Sequence, residues 1–206
     1  MIEFFFDCSS PWTYLAFQNI KALATEFKTP IIWRPFMVGG VFNSVNPSVY
    51  ESRQKPIPAK RDYHLKDLQD WAQYQNTTIK FPPSVFPVNS VKAMRACLVL
   101  DQSNQLPDFA QAVFKAYWGD DKDISQDAVL TEICNSLGIN SSSLLAKLSE
   151  PNIKDALKAN TNELIARGGF GTPTIFINTT DMYFGNDRMP LVRAAIVRHL
   201  QLSDAR

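Results

Sequence analysis

The stretch Phe4-Phe5-Phe6-Asp7-Cys8-Ser9-Ser10-Pro11-Trp12-Thr13 restricts the possible folds of this chain more than any other. A run of aromatic residues that stops at Asp7 reads as a buried strand. Ser10 then supplies a helix N-cap and Pro11 a first helical residue. Trp12, Ala16, Ile20, Leu23 and Phe27 follow at helical spacing and predict one apolar face. Strand end, turn and helix start are thus compressed, which sets the Ser10 hydroxyl beside unpaired amides at the positive end of a helix, a place suited to an anion. The alternative reading is Ser10 as a plain cap, since Ser-Pro is a common helix start.

The rest of the chain alternates in type. Thr29-Pro30 breaks the first helix, and Ile31 to Phe36 reads as a second strand, parallel to the first through a right-handed crossover. Gly39-Gly40 and the polar stretch from Asn43 to Pro58 read as a long loop. From Ala59 to about Arg167 only helical patterns recur, broken at Phe81-Pro82-Pro83, Phe86-Pro87 and Gly119, with Ser125 as an expected cap. The period returns to two at Thr172 to Asn178, with Met182 to Phe184 as antiparallel partner, before a last helix expected to be capped by Asp187. The order βαβ, helical block, ββα predicts an α/β thioredoxin-like domain with a large all-helical insertion. Residues 1–40 and 168–206 form the thioredoxin-like part, and 41–167 a loop plus the inserted helical domain.

Net charge is +1 over 206 residues, without a basic stripe, which argues against nucleic acid and anionic membrane as partners. No apolar segment approaches the roughly 20 residues of a membrane span, and the N-terminus lacks a basic region before its apolar run. A cytoplasmic protein is expected. Cys8, Cys97 and Cys134 are odd in number and far apart, against a disulfide framework or a zinc site. His64 and His199 have no second ligand at metal spacing, so each reads as a surface or helix-edge residue and no metal site is expected. A serine hydrolase is disfavoured by the missing GxSxG elbow.

Several motifs resemble one family in order along nearly the whole chain. Asp7-Cys8-Ser9-Ser10-Pro11-Trp12-Thr13-Tyr14-Leu15-Ala16 looks like the opening of the kappa-class glutathione transferases and 2-hydroxychromene-2-carboxylate isomerases. In these DsbA-like proteins Ser-Pro-x-[Ser/Thr] replaces CxxC. Trp33-Arg34-Pro35-Phe36, Lys60-Arg61-Asp62-Tyr63, Phe86-Pro87-Val88-Asn89-Ser90, Gly171-Thr172-Pro173-Thr174 and Phe184-Gly185-Asn186-Asp187-Arg188 resemble later segments of the same family. The chain departs from the pattern at Thr172, where Val is usual, and at Asn186, where Gln or Ser is common. It also lacks a frequent Trp near Tyr183-Phe184-Gly185, and its loop from Phe42 to Asn46 is shorter.

The resemblance implies that Ser10 and Thr13 stand where two cysteines would, so dithiol–disulfide exchange by this turn is chemically excluded. It implies glutathione as cofactor, with Ser10 as the catalytic residue donating to its sulfur. A cysteine thiol titrates at about 8.5, and lowering it by ~2 units needs about 2.7 kcal/mol. A hydrogen bond to a charged acceptor contributes roughly 1.5–3 kcal/mol and a helix N-terminus about 0.3–1, so the two suffice. The backbone of Thr172, before a cis Pro173, would bind the cysteinyl unit as an added strand. Asn186 and Asp187 would take the γ-glutamyl end, and Lys60 and Asn46 the glycyl carboxylate. Arg188 is expected to be structural, Cys8 a buried apolar residue, and Trp33, Phe36 and Phe86 candidates for lining the second-substrate pocket. The implied activity is glutathione-dependent isomerisation of a small aromatic or conjugated electrophile by a homodimer. A kappa-like transferase or peroxidase, and a non-enzymatic thioredoxin-like binding module, are the alternatives.

Overall fold

A computed structural model describes residues 1–204, with side chains to residue 201. Strand β1 (Ile2–Phe6) is buried along its whole length, as a strand covered on both faces must be. Helix α1 (Pro11–Glu26) follows and leads to β2 (Ile31–Pro35), which pairs parallel with β1. Near the other end of the chain, β3 (Thr174–Ile177) pairs antiparallel with β1, and β4 (Asp181–Phe184) with β3. The sheet order is β2-β1-β3-β4. The expected βαβ and ββα halves therefore meet on one central strand.

Alternation along β1 divides the core. Phe4 and Phe6 face α1 and the helical block, where Phe17, Trp33 and Phe114 complete an aromatic cluster with ring centroids 4.7–6.4 Å apart. Phe5 faces the other side with Phe36, Val41, Leu164 and Phe176. Glu3 also points there, buried, and is held by Arg34 (3.0 Å) and Arg167 (2.8 Å). The Arg167 guanidinium lies over the Phe176 ring at 3.7 Å. Burial alone would raise the Glu3 pKa, but the hydrogen bonds from Arg167 and Arg34 outweigh it and hold the carboxyl below its ordinary range.

Between the halves run α2 (Val38–Val45), α3 (Ser48–Gln54), α4 (Pro58–Tyr74), α5 (Val91–Asp101), α6 (Leu106–Phe114), α7 (Asp127–Ser136), α8 (Ser141–Lys147) and α9 (Pro151–Ala166). The long loop expected from Asn43 to Pro58 is thus corrected: α2 and α3 occupy most of it. Gly40 sits inside α2 because a Cβ there would meet Thr161 Cγ2 of α9 at 3.1 Å, so the glycine marks close helix packing and not a loop. Ser125 does not cap α7, whose N-cap is Gln126; the Ser125 amide instead closes a turn on Asp123. Asp187 does not cap the last helix directly. It lies in a 3₁₀ turn, Asn186–Arg188, that precedes α10 (Met189–Asp204). The apolar face of α1 meets the core as expected and is wider: Ala16 and Ile20 are buried, Trp12, Leu23 and Phe27 pack partly covered against the same cluster, and Thr13 and Phe17 are buried beside them.

Candidate active site

The site is built from the β1–α1 turn outward. Ser10 adopts the extended conformation of an N-cap, and its Oγ accepts the Thr13 N–H at 3.3 Å. Its own hydroxyl proton remains available to donate. The turn is tied down from below: Trp118, in a π-helical turn (Lys115–Gly119) after α6, donates its indole N–H to the Cys8 carbonyl at 2.9 Å. Cys8 itself is fully buried, as a small apolar residue would be.

The Thr172–Pro173 peptide is cis and lies against this turn. Thr172 Oγ1 is 2.8 Å from Thr13 Oγ1 and accepts the Asp7 N–H at 3.2 Å. Among the described residues the Thr172 peptide N–H and carbonyl bond to no other backbone group, so the loop presents an open β-edge. Asp7 is buried at the rim between these parts. One carboxylate oxygen accepts the Ser9 amide (2.9 Å), the other the Val38 amide at the start of α2 (3.0 Å). Burial pushes its carboxyl pKa up against the opposing pull of those amides and of the Ser90 and Ser9 hydroxyls.

Above the turn lies a cavity of about 1550 Å³ that Ser10 and Thr172 line from below and α2, α3 and α4 from above. Pockets for one small ligand run roughly 300–1000 Å³, so a tripeptide and a second reactant fit together. Arg53, Lys55, Lys60 and Arg61 stand on its wall, against Glu51 and the buried Asp7, so the wall is net positive. Arg53 lies 5.8 Å from the Phe42 ring centroid and 5.5 Å from that of Phe86. Cations of this kind suit a ligand carrying carboxylates.

Of the residues singled out from sequence, Ser10, Thr172, Asn46 and Lys60 share this cavity. Asn46 already donates to the Phe170 carbonyl at 3.1 Å and accepts from Ser48 at 2.8 Å. Pro173 lies behind Thr172, its carbonyl accepting the Gly185 amide at 3.1 Å, and so brings the turn Asn186–Arg188 alongside. Gly185 makes that approach with φ +108°, a conformation side-chain-bearing residues rarely adopt. Asn186 and Asp187 do not line the cavity. Asn186 is buried, accepts from Gln75 Nε2 at 3.2 Å, and leaves its Nδ2 donor without a partner. Asp187 is half exposed and pairs with Arg188 at 2.5 Å. Phe86 lines the cavity, but Trp33 and Phe36 do not: both belong to the core around the sheet.

Sequence reasoning missed Asp7, Trp12, Arg53 and His64 as wall residues. His64, at 5.4 Å between ring centroids from Trp12, lies one helical turn after Lys60, a spacing that could have flagged it. The donor set that lines the cavity fits glutathione: a hydroxyl at a helix N-terminus, an open β-edge opposite and a basic wall.

Residues 1–197 match the family model described as DSBA-like thioredoxin domain. The chain is 28% identical to glutathione S-transferase kappa 2 of Caenorhabditis elegans, over 93% of this chain and 89% of that one. It is 27% identical to 2-hydroxychromene-2-carboxylate isomerase of Pseudomonas putida, over 96% and 95% respectively. A solved 2-hydroxychromene-2-carboxylate isomerase structure overlays it with a TM-score of 0.82 at 26% identity, covering 100% of this chain and 98% of that one. With that family model running nearly end to end, the chain belongs to the DSBA-like thioredoxin domain family.

Proposed function

We propose that the chain is a glutathione-dependent isomerase of the 2-hydroxychromene-2-carboxylate type. The observation that carries this reading is the Ser10 hydroxyl at the mouth of α1, facing a basic cavity across from the open Thr172 edge. Glutathione, when bound, supplies a thiolate for reversible conjugate addition and is regenerated. Ser10 donates a hydrogen bond to the sulfur, and the N-terminal field of α1 favours its ionised form. The Thr172 backbone orients the cysteinyl unit. Lys60 and Asn46 hold the glycyl carboxylate, and Asn186 and Asp187, on the turn beside the cis-proline loop and outside the cavity lining, are the proposed end for the γ-glutamyl group. The walls of α2, α3 and α4, with Arg53 among the aromatic rings, orient the second substrate and exclude bulk water. The active form we propose is a cytoplasmic homodimer.

Calorimetric titration of reduced glutathione into the wild type and Ser10→Ala tests this. Binding with proton release near neutral pH, lost in the variant, is expected. No binding in either protein would leave only the non-enzymatic module. A kappa-like transferase or peroxidase uses the same cavity and is supported equally by the relative from Caenorhabditis elegans. Following hydroxychromene carboxylate absorbance with substoichiometric glutathione separates the two: turnover beyond the glutathione present supports the isomerase, and a halt at stoichiometry supports the transferase.

A further inference from the structure

A second cavity, of about 390 Å³, lies on the far side of α2, between that helix and α9. Met37 and Gly40 contribute to both cavities, so the two sites back onto the same wall. Three cations converge on it: Arg95 from α5, and Lys154 and Lys158 from α9. Among the described residues none of the three has a carboxylate within ion-pairing distance, and the single acid on the rim, Asp155, pairs with none of them.

The arrangement is electrostatically costly. Lys154 and Lys158 are one helical turn apart, where like charges repel. Arg95 is more telling. Its Nε is buried and has no hydrogen-bond partner, and one terminal nitrogen reaches only the Leu148 carbonyl, at 3.4 Å. The side chain is half-buried, and burying one N–H of a charged group without a partner costs free energy. A planar guanidinium flanked by two ammonium groups matches a compact doubly charged oxyanion. Met37 and Ile165 supply apolar surface for a small organic body beside it.

We propose that this groove is a second ligand site, which binds a small molecule bearing a compact dianion, a phosphate monoester or a dicarboxylate. It is independent of glutathione and of Ser10. The test is titration of phenyl phosphate, inorganic phosphate and succinate, at millimolar concentration, into the full chain, read by amide chemical shifts and by calorimetry. Lys154 and Lys158 are exposed, so Lys154→Ala/Lys158→Ala folds normally. Expected is saturable binding of at least one probe that moves the amides of Gly40 and Asn162. It should weaken by roughly tenfold in the double variant, as the loss of two partly exposed charge-assisted contacts warrants. Lys60→Ala should leave it unchanged. Binding only by the two phosphates assigns the phosphate class, and binding only by succinate the dicarboxylate class. No binding by any probe, equal binding in the double variant, or loss in Lys60→Ala instead would overturn the proposal.

Discussion

The hydroxyl pair Thr13–Thr172 is the sharpest test of how the two halves of the site are joined. Both side chains are buried, their oxygens are 2.8 Å apart, and Thr172 Oγ1 also accepts the Asp7 N–H. Thr172→Val keeps the shape but removes both contacts. It leaves the buried Asp7 amide and the Thr13 hydroxyl unpaired, which should cost about 2–4 kcal/mol: a net hydrogen bond of ~1 plus a stranded donor of ~1–3. Thr13→Val loses only the shared bond, since Thr172 still accepts from Asp7, and should cost about 1 kcal/mol. In the Thr172→Val background the Thr13 hydroxyl has already lost its partner, so adding Thr13→Val should make the two losses fall short of additivity by about 1 kcal/mol. Urea unfolding with unchanged m-values gives all four corners of the cycle. For a chain of this size each kcal/mol moves the melting temperature by about 2–4 °C, well within resolution. Single costs that simply add to within a few tenths of a kcal/mol would refute the coupling. Because the proposed ligand contact of Thr172 is made by its backbone, glutathione affinity should survive Thr172→Val.

Glu3→Gln strips the partner from two arginines at once; unfolding should show a loss of about 3 kcal/mol, the lower end for a broken buried pair because Arg34 and Arg167 stay partly exposed. The Glu3 carboxyl is held below its ordinary 4.5, so its contribution should be complete above that pH and vanish as pH falls through the folded value, a slope missing from Glu3→Gln. Asp7 works in the opposite sense: its folded pKa lies above the ordinary 3.8, so it favours folding most below 3.8 and loses that contribution as pH rises through the folded value. Asp7→Asn should flatten this part of the stability–pH curve, though it costs about 1–3 kcal/mol overall by leaving the Val38 or Ser9 amide unpaired; an unchanged slope would show that the carboxyl does not titrate there. Ser10→Ala should cost about 1 kcal/mol as a lost cap yet remain folded by circular dichroism, so missing glutathione binding would not reflect unfolding. Arg53→Gln should change stability by less than ~0.5 kcal/mol while raising KM for a carboxylate substrate more than for its neutral ester; equal effects on both would remove Arg53 from substrate recognition.

The parts of the fold that the sequence announced are those fixed by neighbours along the chain. The strand ending at Asp7, the Ser10 cap and the Pro11 start all rest on local rules, and each is where those rules put it. Helix α2 was hidden because Gly39-Gly40 argues for a loop, although Val38, Val41, Phe42 and Val45 fall at helical spacing. The reason for Gly40 is a helix more than a hundred residues later, which no local rule can see. Trp33 and Phe36 were offered to the pocket because aromatic residues suit both walls and cores; which one they join depends on which face of β2 meets the helices. Asp7 looked like a strand stop, and only the folded chain shows its carboxylate fastening α2 to the turn. The Gln75–Asn186 contact and the Trp118–Cys8 bond likewise span more than a hundred residues and carry no local signature.

The α2 part of the cavity roof is tied down through Val38 and Gly40, and the floor is bonded throughout. Below the cavity, Asp7, Thr13 and Thr172 are buried and bonded to each other, and Trp118 clamps the turn from beneath. Above it, α3 buries no residue at all, and the rim of α4 around Lys60 is exposed. Segments with few buried contacts open at low free-energy cost, and segments within a bonded core open only with the whole domain. The floor is therefore the part able to hold one sulfur in one geometry, and the rest of the roof is the part able to admit ligands and to change its side chains cheaply. On the reading proposed above, a thioredoxin-like turn with serine in the place of a cysteine has no redox chemistry of its own but keeps a rigid floor. On that reading the floor positions the thiol of a bound glutathione, and the proposed choice of second reactant falls to residues such as Arg53, Phe42 and Phe86, which line the cavity.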